Sequence, residues 1–185
     1  MKKIFLILIC FTFFLVGCSP KEVKPDAFAD NFVPEGKMTV IRYLISSNAY
    51  LVENVFIENR LPFDAEKSTT NTEGTFAPVV SDKYETYADL YDELQATYTD
   101  EATERILAEY NIYSEVDGKL CINTSATAKK ADNLDWSNPE IEVKSVSDGI
   151  YELKVTVKTE SGRNRKLDVK AVTVDGNIRL EDICY

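Results

Sequence analysis

Residues 147–158 read SDGIYELKVTVK, and this stretch decides the fold. Apolar and polar side chains alternate along it, as they do in a strand with one buried face. The apolar positions are Tyr151, Leu153, Val155 and Val157, and the positions between them are Glu152, Lys154, Thr156 and Lys158. The preceding Asp-Gly pair is typical of a two-residue turn between antiparallel strands. The stretch therefore predicts one strand of an antiparallel sheet.

The same turn signals recur on both sides of this strand. Asp-Gly pairs stand at 117–118 and 175–176, and a Ser-Gly pair stands at 161–162. They predict a meander of short strands from residue 112 onward, with strands at 119–123 and 140–147. The alternation slips at 171–174, which predicts a bulge or an edge irregularity there.

The residues before the meander have helical spacing instead. Apolar positions between 37 and 58 predict a first helix, Thr86 precedes a second, and Thr99 a third that ends near Tyr110. The intervening residues 61–74 are polar and are predicted to be irregular, and Pro78 predicts an edge position for a short strand at 75–80. The fold class that follows is α+β, with N-terminal helices packed on a curved antiparallel β-meander.

The first eighteen residues have the pattern of a bacterial lipoprotein signal. Lys2 and Lys3 precede an apolar run that ends at Val16 and is shorter than the about 20 residues needed to cross a bilayer. Small residues before Cys18 predict cleavage there and a lipid on its thiol. An ordinary signal peptide with an incidental cysteine is the alternative.

Three regions follow from this pattern. They are a signal peptide at 1–17, a lipidated N-terminus and tether at 18–36, and a single α+β domain at 37–185. The expected location is the extracytoplasmic face of the cell membrane, which the chain would contact through the lipid on Cys18.

The composition excludes several classes of function. The chain has 31 acidic and 21 basic residues, and removal of the signal with its two lysines leaves a net charge of −12. Such a charge disfavours nucleic acid as a partner. There is no histidine, which removes histidine-based catalysis and the commonest zinc ligand. No motif for a metal, phosphate or cofactor is present, so we expect a non-enzymatic protein without cofactors.

The sequence allows two states of the cysteines in the folded domain. Cys10 would leave with the signal and Cys18 would carry the lipid, so that Cys121 and Cys184 remain. They form either one disulfide, which would close a long loop, or two free thiols buried in strands.

Some side chains that could form a site have a structural explanation. Asp89, Asp92 and Glu93 are expected on a solvated helix face, and Tyr84, Tyr87, Tyr91 and Tyr98 in the core with their hydroxyls at its rim. Trp136 is expected on a loop at 124–138, either packed on the core or exposed for a protein contact.

Three segments carry a family resemblance: residues 84–90 (YETYADL), 98–102 (YTDEA) and 112–120 (IYSEVDGKL). Residues 75–185 resemble the IseA family of cell-wall DL-endopeptidase inhibitors. The chain departs from the family pattern at 178–180, where Ile-Arg-Leu stands and a tryptophan is expected. The resemblance implies a protein-binding module that restrains a peptidoglycan hydrolase.

On this interpretation, the partner-binding edge is the loop at 124–138 together with the hairpin at 117–118. Trp136 would be its anchor, and Lys129, Lys130 and Asp135 its rim charges. A small-ligand-binding lipoprotein with a nuclear-transport-factor-two-like cone is the rival interpretation, and an enzyme using Asp, Glu, Tyr and Lys inside such a cone is a third.

Overall fold

A computed structural model describes residues 32–57, 60–126 and 133–185. It contains three α-helices, a π-helical turn, a short 3-10 helix (Ala65–Lys67) and eight strands within these ranges. The helices are α1 (Glu35–Leu51), α2 (Tyr87–Thr97) and α3 (Asp100–Tyr110). The strands are β1 (Thr69–Asn71), β2 (Gly74–Pro78), β3 (Tyr113–Val116), β4 (Lys119–Asn123), β5 (Leu134–Ser147), β6 (Ile150–Thr159), β7 (Asn164–Val174) and β8 (Asn177–Leu180).

The strands form two antiparallel sheets, in the orders β1-β2-β4-β3 and β5-β6-β7-β8. The predicted α+β class is confirmed, as is the curvature of the antiparallel sheet. The meander is divided, however, because β4 pairs backward in sequence with β2 rather than forward with β5. Helix α2 contacts β3 and β4 of the first sheet and β8 of the second, so the two sheets share one core.

Helix α1 begins earlier than predicted. It starts at Glu35 and continues after Leu51 as a π-helical turn at Val52–Phe56. Val33 is buried in the core. Residues 33–36, which the sequence predicts to be tether, therefore belong to the folded part of the chain.

Helices α2 and α3 have the predicted caps. The hydroxyl of Thr86 accepts a hydrogen bond from the N–H of Asp89 at 3.2 Å, and the Asp89 carboxylate accepts one from the N–H of Thr86 at 2.7 Å. The hydroxyl of Thr99 accepts from the N–H of Ala102 at 3.2 Å. Each cap satisfies N–H groups that have no partner within the helix.

The glycine turns confirm the predicted hairpins. In all three Asp-Gly pairs both residues have positive φ, between 49° and 81°. Such a turn matches the right-handed twist of the strands that it joins. The β6 alternation is also confirmed, since its four predicted inward side chains are at most 1% exposed.

Irregular pairing occurs in β5 and not at 171–174. Strand β7 keeps continuous register with both β6 and β8. The apparent slip arises because Val174 is exposed, next to the turn. The register shifts lie between Asp135 and Glu140 and between Val143 and Ser145.

Two predictions for residues 61–80 are wrong: that residues 61–74 are irregular throughout, and that the strand at 75–80 lies at the edge of a sheet. Residues 69–78 form the β1–β2 hairpin, and β2 lies between two strands although it contains Pro78. The carbonyl of Pro78 accepts a hydrogen bond from the N–H of Asp64 at 2.9 Å. Because the nitrogen and the carbonyl of a strand residue point to the same side, the nitrogen of Pro78 also faces residues 62–64. On that side β2 has only an isolated bridge, between Phe63 and Val79, so the missing N–H of Pro78 interrupts no continuous row of strand hydrogen bonds.

Candidate functional site

The tryptophan lies in a strand rather than on a loop. Leu134 and Trp136 belong to β5, and Trp136 is 8% exposed. The prediction that residues 134–138 are loop is therefore wrong, and packing of Trp136 on the core is confirmed. Asp135 is exposed, and hydrogen bonds from Ser137 lower the pKa of its carboxyl. Lys129, Lys130 and Cys18 lie outside the described residues.

The parts of the predicted edge that the structure describes belong to two different sheets. The hairpin at 117–118 joins β3 and β4 of the first sheet, whereas Asp135 and Trp136 begin the second sheet. A large bulge follows directly in β5. Asp135 pairs with Lys158 and Glu140 with Thr156, so residues 136–139 stand opposite Val157 alone. Bulges of this kind redirect a strand and occur often beside binding sites.

This bulge and helix α1 form an open cleft of about 600 Å3. We call it the α1–β5 cleft. Its apolar lining residues are Ile45, Ala49, Trp136, Pro139 and Ile141, and its polar ones are Arg42, Ser46, Ser137, Asn138 and Glu140. The lining is thus divided about equally between polar and apolar residues, whereas small-molecule sites are mostly apolar.

The indole N–H of Trp136 is buried and has no hydrogen-bond acceptor among the residues that the structure describes. A buried donor without an acceptor costs about 1–3 kcal/mol, and tryptophan N–H groups usually have a partner when buried. Arg42 at the same cleft is exposed and pairs with Glu35 at 2.6 Å.

A second cavity, of about 490 Å3, lies beside the C-terminus and is less suited to a ligand. Its charged lining groups already have partners. Arg105 pairs with Asp182 at 3.2 Å, and Lys170 pairs with Glu181 at 2.9 Å. An incoming charged group would have to displace these pairs.

Two of the three acidic residues on α2 have structural roles, and the third is solvated. Asp89 caps the helix, Glu93 pairs with Lys83 at 2.9 Å, and Asp92 is exposed. Within residues 32–57, 60–126 and 133–185, no three His, Cys, Asp or Glu side chains are grouped so that they could hold a metal ion.

The tyrosines divide between core and rim. Tyr84 and Tyr98 are at most 1% exposed, and burial raises the pKa of both phenols. Tyr87 and Tyr91 are half-buried, and the hydroxyl of Tyr91 donates to Glu104 at 2.8 Å. They do not line the α1–β5 cleft.

A buried network that sequence reasoning missed joins α1, α2 and the C-terminus. The Oδ1 atom of Asn48 accepts from the Tyr98 hydroxyl at 3.0 Å and from the N–H of Cys184 at 2.8 Å. Its Nδ2 atom donates to the carbonyl of Cys184 at 2.9 Å. Asn48 is completely buried. The sequence feature that could have indicated this network is an asparagine on the apolar side of the predicted first helix.

Cys121 and Cys184 are buried free thiols, so the structure has no disulfide between them. The alternative of two thiols buried in strands holds for Cys121, whereas Cys184 lies beyond the end of β8. Cys121 lies in β4 opposite Ser114 and Pro78, whereas Cys184 is held beside Asn48 of α1. Burial raises the pKa of Cys121, and it raises the pKa of Cys184 to about 12.

The chain matches no protein-family model and has no significant match among curated proteins. The resemblance to the IseA family therefore stays a prediction. None of the helices described is long and apolar enough to cross a bilayer.

Proposed function

We propose that this protein is a lipid-anchored, extracytoplasmic protein-binding module that restrains a cell-wall DL-endopeptidase. Cys18 carries the anchor, and the folded domain binds the hydrolase without performing chemistry itself. The proposal combines the lipoprotein signal and the resemblance to the IseA family with the packing of the domain.

The packing of the second sheet supports this proposal. The inward side chains of β6, Tyr151, Leu153 and Val155 among them, are at most 1% exposed and belong to the same core as the helices. The concave face of the curved sheet is therefore occupied by the protein itself. A cone-shaped binding or reaction chamber would need that space to be open.

The interface that we propose is centred on the α1–β5 cleft. Since Trp136 is buried, it shapes the floor of the cleft and is not the exposed anchor expected from the sequence. Ser46 of α1 and Asn138 of β5 are exposed on the two sides of the cleft. A standard interface buries on the order of 1,600 Å2 in total, so the hydrolase would also cover surface around the cleft.

The charge distribution favours a basic partner. Helices α2 and α3 together contain seven acidic residues and one basic residue, Arg105. A field of one sign raises the rate of association with an oppositely charged protein, and added salt screens it.

The experiment compares two serine variants in hydrolysis of purified cell walls. Ser46→Trp fills the cleft from an exposed position, and Ser161→Trp places the same side chain in the exposed β6–β7 turn. We expect the wild type and Ser161→Trp to slow the loss of turbidity equally, and Ser46→Trp to need at least about tenfold more protein, a loss of about 1.4 kcal/mol of binding free energy. Equal potency of all three would exclude the cleft from the interface.

Small-ligand binding is the second candidate, and the volume of the cleft favours it. The cleft volume of about 600 Å3 lies within the range of small-molecule sites. Native mass spectrometry of protein purified from envelopes tests this function. A bound mass present in the wild type and absent from Ser46→Trp, together with unchanged hydrolysis in the turbidity assay, would favour the ligand over the hydrolase.

A further inference from the structure

Helix α1 has an outer surface unlike the rest of the molecule. Residues 38–52 contain one charged residue, Arg42, although 28% of the chain is charged. A helix at the surface of a protein usually has charged residues on its solvent side. Helices α2 and α3 follow that rule, with Asp92, Glu101 and Glu109 exposed.

The exposed uncharged side chains of this surface are Thr39, Val40, Tyr43 and Tyr50, which we call the outer face of α1. The ammonium group of Lys83 lies 4.9 Å from the centre of the Tyr50 ring, so one charge borders the face. At 100° per residue these positions fall within an arc of about 100°. All four are exposed, Val40 by 40% and Tyr43 by 64%. Phe32, just before the helix, is 74% exposed. Exposed aromatic and apolar groups with few charges among them are typical of a surface that another phase or molecule covers.

The position of α1 in the chain indicates what covers it. Fourteen residue steps separate Cys18 from Phe32, a span of at most about 50 Å even when fully extended. A lipid on Cys18 would therefore keep the bilayer within about 50 Å of the start of this helix. Tyrosine is enriched at the interface between membrane and water, because its ring is apolar and its hydroxyl is polar.

We propose that the outer face of α1 lies on the surface of the bilayer that holds the Cys18 lipid. This inference depends on the proposed anchor but not on the hydrolase. The face is small and lacks the lysine-rich border of helices that bind membranes unaided. The anchor supplies the high effective concentration at which such a weak contact forms.

The contact would leave the inner part of the α1–β5 cleft free. Ala49 and Ile45, which line the cleft, are roughly 120° to 160° around the helix from Tyr43, whereas Ser46 and Arg42 at its rim are roughly 60° and 100° from Tyr43. The cleft then opens sideways, along the membrane. A hydrolase close to the membrane could enter it without displacing the domain.

The test uses the full lipidated protein in vesicles of phosphatidylcholine and phosphatidylglycerol with brominated acyl chains, which quench nearby tryptophan. Val40→Trp and Tyr43→Trp report on the outer face, and Val80→Trp, at an exposed apolar position 57% accessible, is the matched control. The wild type, whose single tryptophan is Trp136, gives the background. We expect most of the added emission to be lost at residues 40 and 43 and retained at residue 80.

A charge variant tests whether the face itself makes the contact. In the Val40→Trp protein, Tyr43→Glu should restore the emission and Tyr43→Phe should not, since only the first places a charge against the bilayer. Equal quenching at all three tryptophan positions, or none at residues 40 and 43, would overturn the proposal. Loss of hydrolase inhibition in Tyr43→Glu without quenching at residue 40 would assign the face to a protein partner instead.

Discussion

At the scale of single residues, the largest effect on stability is expected at Asn48. Its side chain makes three buried hydrogen bonds, with Tyr98 and with both backbone groups of Cys184. Asn48→Ala leaves these groups buried without partners, which should cost about 2–4 kcal/mol. The measurement is urea unfolding, with Asn177→Ala, at an exposed position, as the control. A loss no larger than that of the control would contradict the role of the network.

The buried cysteine and tyrosine side chains predict that the folded protein loses stability at alkaline pH. A cysteine ionises near pH 8.5 and a tyrosine near pH 10 in an unfolded chain. Burial raises the pKa of Cys184 and that of Tyr113 to about 12 in the folded protein. The folded state thus retains protons that the unfolded chain releases, so stability is complete below about pH 8.5 and falls as the pH rises toward 12.

Urea midpoints at about pH 7, 9 and 10.5 measure this dependence, and they should decrease in that order. Cys184→Ala should reduce the fall at the first step, where the tyrosines have not yet ionised. A midpoint that is constant over the whole range would show that these groups ionise equally in both states.

Trp136 shows what residue-level reasoning could and could not predict. Its place in the core follows from its size and from the apolar residue two positions before it. The surrounding cleft depends on which residues of β5 pair with β6, and the sequence near Trp136 does not specify that register. Residues 137–139 read as a polar turn because a bulge and a loop favour the same residue types.

At the scale of elements, local signals predicted most of the structure. Caps at Thr86 and Thr99, the alternation in β6 and the glycine turns all act over a few residues. The pairing of β2 with β4 joins residues more than 40 positions apart, and it decides that the strands form two sheets. Nothing in either strand alone selects that partner.

Two hairpin turns provide a comparison at this scale. Gly118 and Gly149 have similar positive φ, 73° and 80°, but a Cβ at Gly118 would meet no atom within 4 Å, whereas one at Gly149 would lie 3.2 Å from Thr173. Gly118→Ala should cost about 1–2 kcal/mol through backbone strain alone. Gly149→Ala should cost more. Thermal unfolding of both variants measures the difference, and equal losses would show that Thr173 moves aside freely.

At the scale of the whole molecule, the proposed anchor on Cys18 would determine where the protein acts. Cys18 is the expected acyl acceptor, so the wild type should incorporate labelled fatty acid and sediment with membranes. Cys18→Ala should incorporate none. Absence of label from the wild type would contradict the lipoprotein interpretation and, with it, the docking of α1 on the bilayer, while the hydrolase proposal could still hold for a secreted protein.

The central claim is that the domain restrains a cell-wall DL-endopeptidase, and a titration tests it most directly. The initial rate at which the hydrolase clears a suspension of purified cell walls is measured at increasing concentrations of the protein. A stable complex predicts that the rate falls in proportion to added protein and approaches zero near molar equivalence. A rate that stays unchanged at a large molar excess, with several hydrolases from the same envelope, would contradict it.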